Sequence, residues 1–135
     1  KDLENSLTEL KDLFKENYQK QSILHMIIVN YIIGDKSYSF FEGDLSGDHL
    51  CLEVKFLCIS NDLIFKFDKL LTNYQITISK YMCGTYVKNF SKLASSELAE
   101  TIYKLKNGIN DNEVTLVPKN AENQGFFEKF FQLFS

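Results

Sequence analysis

A chain of 135 residues with 44% hydrophobic content has room for one compact domain and no second one, since a chain of this size buries roughly two thirds of its unfolded surface. The net charge of -3 and the lack of clustered Lys and Arg exclude a phosphate-binding surface, so nucleic acid is not expected as a partner. The longest apolar run, Met26 to Ile33, is interrupted by Asn30 and falls short of the roughly 18 to 20 residues that span a bilayer. The N-terminus lacks the basic, apolar, small-residue order of a signal peptide and begins with Lys, which reads as cytoplasmic.

Three cysteines, Cys51, Cys58 and Cys83, form no CxxC pair, and their odd number leaves one without an intrachain partner. Buried, unpaired thiols in a reducing compartment are expected. Metal binding would need closely spaced Cys and His ligands, whereas His25 and His49 are isolated and fall in what reads as a strand and at a loop end, so no metal site and no cofactor are expected.

In chain order, Leu3, Leu7, Leu10 and Phe14 recur at helical steps, with charged residues between them, and predict an amphipathic helix over 2–18. Residues 23–33 are β-branched and apolar without interruption for a half-exposed helix, which reads as a strand apolar on both faces. Gly34 and Asp35 break it, and 35–49 read as a loop with a short strand at most. Leu50, Leu52, Val54 and Phe56 alternate with Cys51, Glu53 and Lys55, the period of a strand over about 50–59.

Ser60 or Asn61 is a helix cap, and Leu63, Ile64, Phe67, Leu70 and Leu71 form the apolar stripe of a helix over 61–73, with Phe67 in the core. Tyr74, Ile76, Ile78 and Lys80 alternate with Gln75, Thr77, Ser79 and Tyr81, which predicts a third main strand over 75–83, ended by Gly84. Leu98, Ile102 and Leu105 share a face after Ser95 and Ser96, giving a helix over 96–106 that stops at Gly108.

From Gly108 to Gln124 the composition turns polar around the single proline, and 109–124 read as a linker. After Gly125, five of the twelve phenylalanines fall within nine residues. Phe126, Phe127, Phe130, Phe131 and Phe134 lie on one side of a helix, with Leu133 beside them, and Glu128, Lys129 and Gln132 lie on the other. Such a helix, about 15 Å long, is expected to lie in the headgroup plane of a membrane and is too short to cross it. The same stripe would serve a groove on its own domain or on a partner.

No triad-like, P-loop or GxGxxG pattern is present, so no enzyme is expected. Ile28, Asn30 and Ile32 share one side of the first strand, and the opposite side is apolar too. If helices cover one face only, those three residues mark a protein interface.

The segment Ile23-Leu24-His25-Met26-Ile27-Ile28-Val29-Asn30-Tyr31, the loop ending Leu45-Ser46-Gly47-Asp48-His49-Leu50, and Leu52-Glu53-Val54-Lys55-Phe56-Leu57 resemble the 1C subdomain of the bacterial actin-like cell-division protein family FtsA. Ile76 to Val87 is similar to that subdomain's last strand, and the Phe-rich tail is similar to the family's C-terminal membrane-targeting helix. The actin-like phosphate loops have no counterpart, so nucleotide binding is not carried over, and neither is the subdomain that binds FtsZ.

The expected fold is α+β: a small antiparallel sheet of about three strands with the helices at 2–18 and 61–73 on one face, in the strand-helix-strand-strand order that the resemblance implies. Residues 1–92 would be the interaction domain, 93–108 an additional helix, 109–124 the linker and 125–135 the membrane-targeting helix. The resemblance implies a non-catalytic division adaptor that associates with itself or with FtsA-like molecules, binds division proteins such as the FtsN cytoplasmic tail, and sits on the inner face of the cell membrane. The alternative is a soluble small-ligand or regulatory domain whose C-terminal helix packs on its own core.

Overall fold

The computed structural model describes residues 2–40 and 49–115. Its elements are α1 (Asp2–Asn17), β1 (Gln21–Ile33), β2 (Lys36–Tyr38), β3 (Leu50–Ser60), α2 (Asn61–Thr72), α3 (Gly84–Ala94) and α4 (Leu98–Lys106). The class is α+β, with a small antiparallel sheet in the order β2-β1-β3. The expected C-terminal helix and the candidate membrane residues Phe126, Phe127, Phe130, Phe131, Leu133 and Phe134 lie outside the described residues. No described helix is long and apolar enough to cross a membrane.

The described residues fall into two compact units, 2–25 with 56–104, and 26–40 and 49–55 with 105–115. In the first, α1 settles on β3 through Phe14, whose ring stacks on Phe56 at 4.3 Å and on Tyr18 at 4.6 Å. Leu7, His25, Val87 and Thr101 are buried there. His25 Nε2 accepts the Cys83 main-chain N–H at 2.9 Å, and its ring lies 4.5 Å from that of Tyr86. A buried main-chain donor left without a partner costs about 1 to 3 kcal/mol, so His25 secures the approach to α3.

In the second unit, Gly34 takes φ 60° at the first central position of a two-residue turn, a conformation that glycine adopts without steric cost. The turn sets the register Tyr31↔Tyr38, Ile32↔Ser37 and Ile33↔Lys36. Met26, Ile28, Tyr31 and Leu105 are buried.

The start of the expected linker is bonded to β1. Ile28 N–H donates to Asn112 O and Val114 N–H to Met26 O, each at 2.8 Å, bridging Ile27 to Glu113. Asn112 Oδ1 also accepts the Tyr31 hydroxyl at 3.0 Å, and its Nδ2 donates to Ser39 O. Residues 110–114 thus belong to the fold; 116–124 lie outside the described residues.

The third strand expected over 75–83 is not formed, and β2 takes that place in the sheet. The chain wraps back on the end of α2 instead. Gln75 has φ 60°, and the N–H groups of Tyr74 and Ile76 both return to Leu71 O. Further on, the Cys83 N–H, a donor that a ladder would use, goes to the His25 side chain, and the Tyr81 hydroxyl is held by Asp68.

Gly84 opens a helix, α3, where the sequence pattern reads a stop; α3 ends at Ser95, left-handed at φ 50°. Ser95 is therefore the cap that closes α3. The three cysteines are free thiols, but Cys51 is exposed and not buried as expected; partial burial pushes the Cys58 thiol up.

Phe67 is 45% exposed, and α2 has no buried residue, which corrects its expected place in the core. Phe67→Ala should then cost at most about 1 kcal/mol, far from the ~3 to 5 kcal/mol of a fully buried aromatic. Urea unfolding of the two proteins measures the difference.

Candidate functional site

α2 follows β3 directly because Ser60, extended at φ -61°, turns its hydroxyl to the Asp62 N–H at 3.2 Å. That cap sets the phase of the helix. Leu63, Phe67 and Leu70, at i, i+4 and i+7, then form a stripe, and they are 45%, 45% and 55% exposed. Ile64 and Leu71, rotated toward the interior, are only half-buried.

Tyr81 fixes α2 on that inner side. Its hydroxyl donates to Asp68 Oδ1 at 2.6 Å and approaches Ile64 O at 3.4 Å, and its ring centre lies 6.5 Å from that of Phe67. Loss of hydration, then the bond to Asp68 and its charge, push the Tyr81 phenol up to about 12. The folded-state value lies above the free value near 10, so this contribution to stability is complete below pH 10 and is lost as pH rises toward 12. Titration at 295 nm should show a late-ionising tyrosine that Tyr81→Phe removes and Asp68→Asn brings earlier.

The open stripe is bordered by exposed Lys66 and Lys69. Tyr74 and Ile76, just past the end of the helix, are exposed as well. On α1, a second apolar area is a shallow, open depression lined by Leu10, Leu13, Phe14, Asn17 and Tyr18. Leu13 and Tyr18 are more than half exposed, and the exposed carboxylates Glu9 and Glu16 flank Leu13 at i-4 and i+3.

The residues singled out on β1 do not lie together on an open face. Ile28 is 5% exposed and belongs to the interior of its unit. Asn30 is half-buried, its Nδ2 donating to Glu53 Oε2 at 2.6 Å, and Ile32 is half-buried.

His25 is 2% exposed, and its Nε2 is engaged by a main-chain N–H, the arrangement of a structural histidine. Among the described residues, no three His, Cys, Asp or Glu side chains gather as metal ligands would. The exposed apolar surfaces of α1 and α2 are suited to binding apolar side chains.

The sequence reading of α2 contained this surface without separating it from the core. Leu63, Ile64, Phe67, Leu70 and Leu71 span about 120° of the helix at 100° per residue. A helix resting at an edge covers only part of so wide a stripe, and the lysines at 66 and 69 mark the side left open.

Comparison with protein-family models, with curated proteins and with solved structures gave no match.

Proposed function

We propose that this chain is a non-catalytic protein-interaction module, an adaptor of the FtsA 1C type that gathers cell-division proteins at a membrane surface. The observation that carries this reading is the α2 stripe, three large apolar side chains about half exposed in a helix with no buried residue. Such a stripe recognises a partner by burying i, i+4 and i+7 anchors in a complementary apolar surface. The resemblance of 23–31, 45–50 and 52–57 to the 1C subdomain supports the choice of partners, and the Phe-rich tail supports the membrane location.

The test is anisotropy of labelled peptides carrying cytoplasmic tails of division proteins, the FtsN tail among them, titrated with the full chain. Saturable binding that weakens at least about tenfold with Phe67→Asp supports the adaptor reading, since truncating a central anchor removes ~1.4 kcal/mol or more. If no tail binds, or if binding is indifferent to that substitution, the reading fails.

A further inference from the structure

α2 carries Leu63, Phe67 and Leu70 at i, i+4 and i+7, and that row stays open along its whole length. In α1 and α4 the rows of the same spacing, Leu3-Leu7-Leu10 and Leu98-Ile102-Leu105, each contain a buried residue, Leu7 and Leu105. The tail repeats the spacing twice, as Phe126, Phe130 and Leu133 and as Phe127, Phe131 and Phe134. Folded as a helix, the tail sets its two rows side by side, an apolar face wide enough to cover a single row on a facing helix. The lengths agree as well, since α2 has 12 residues, about 18 Å, against about 15 Å for the tail.

The tether favours this pairing. Val114 N–H is fastened to Met26 O at 2.8 Å, and residues 116–125 lie between the described chain and the first phenylalanine of the tail. Extended, they reach about 33 Å, the width of a domain of this length. A tether of that reach holds the tail at an effective concentration of about 1 mM, so an intrinsic affinity as weak as ~0.1 mM closes about nine chains in ten. No free partner at micromolar concentration has that advantage.

We infer that in the free chain residues 126–134 lie as a helix along the α2 row of the same chain, with Phe130 and Phe131 against Phe67, and that a membrane surface, by taking the tail, uncovers α2. This inference rests on the reading of α2 as the partner-binding stripe and of the tail as the membrane contact, and it adds how the two are coupled. The same phenylalanines cannot cover α2 and enter lipid at once, so lipid and the α2 partner each favour the open chain and thereby favour each other.

Hydrogen exchange of the full chain, at a concentration where sedimentation shows it monomeric, tests this. Amides of 126–134 and of α2 should exchange up to about tenfold more slowly than in Phe130→Glu with Phe131→Glu, the factor set by one open chain in ten. Phe67→Asp and Leu70→Asp, at exposed positions, should each release the tail amides to the same extent with an unchanged circular dichroism spectrum. Vesicles of mixed phosphatidylcholine and phosphatidylglycerol should speed exchange in α2 of the unsubstituted chain to the rate of the tail variant.

Tail amides that exchange as an unstructured peptide without vesicles overturn the inference, as does protection that Phe67→Asp and Leu70→Asp both leave in place. Protection that appears only as concentration rises puts the tail on another copy and overturns it too. If the tail is protected through Phe67 and no division-protein peptide binds, the adaptor reading falls and tail docking stands. If the tail is unprotected and peptides still bind through Phe67, only tail docking falls.

Discussion

Ile28→Glu should unfold the protein. Ile28 is 5% exposed, and its N–H is bonded to Asn112 O at 2.8 Å, so the side chain is enclosed and the strand around it is held in place. The substitution removes a buried branched side chain and leaves a carboxylate with no partner for its charge. The first loss alone is worth about 2 to 5 kcal/mol, and an unpaired buried charge adds ~3 kcal/mol or more. Against the ~5 to 15 kcal/mol that holds a typical domain, this leaves little or no folded population at 25 °C.

Ile28→Val, which trims one methyl group, should cost only about 0.5 to 1.5 kcal/mol. Ile32→Glu, at a half-buried position, should leave a folded protein of reduced stability. Thermal unfolding followed at 222 nm separates the three. A folded Ile28→Glu protein with a cooperative transition would mean that β1 has an open face at Ile28, as its sequence suggests when read alone.

That difference shows what periodicity conveys. The strand over 23–33 is legible because eleven residues of nearly continuous β-branched and apolar character have no other use in a chain of this size, and β1 covers Gln21–Ile33. α1, β3, α2 and α4 are legible because each carries a clear period, and α2 and α4 have flanking cap candidates as well. Which face of β1 meets water is not legible, because both faces read alike and burial is decided by distant residues. Asn110 to Val114 look like linker by composition, yet Asn112 satisfies Tyr31, Ser39 and Ile28 at once.

The misread strand over 75–83 has a related cause. Alternation of Ile76 and Ile78 with polar residues is compatible with a strand, but a strand also needs a neighbour to bond. Here β2, three residues long, reaches its place beside β1 through the Gly34-Asp35 turn, which makes it local and cheap in loop entropy. α3 was hidden by Gly84, a residue read as punctuation. Val87 and Phe90 stand three apart, and Tyr86 and Phe90 four apart, and those spacings are the helical signal that was present. The open half of the α2 stripe was legible only in part, since a sequence gives the angle a stripe subtends and not how much of it a partner element covers.

Anchoring at a membrane should depend on assembly. Phe126, Phe127, Phe130, Phe131, Leu133 and Phe134 follow Gly125 with Lys129 as the single cation among them. Four phenylalanines entering the interface contribute about 6 to 12 kcal/mol gross, and most of that is offset by ordering the tail and immobilising the protein. With one cation, attraction to anionic headgroups adds only about 1 kcal/mol.

A single tail should therefore hold weakly, and several tails linked by self-association should hold more strongly, because each later contact is intramolecular. The peptide 124–135 should bind liposomes of mixed neutral and anionic lipid weakly, and the full chain should bind at least about tenfold more tightly at concentrations where it associates. Phe130→Glu with Phe131→Glu should remove both by placing carboxylates against hydrocarbon. Tight binding that survives the double tail substitution would place the membrane contact elsewhere in the chain, and equal binding by peptide and full chain would make tail and interaction module independent devices.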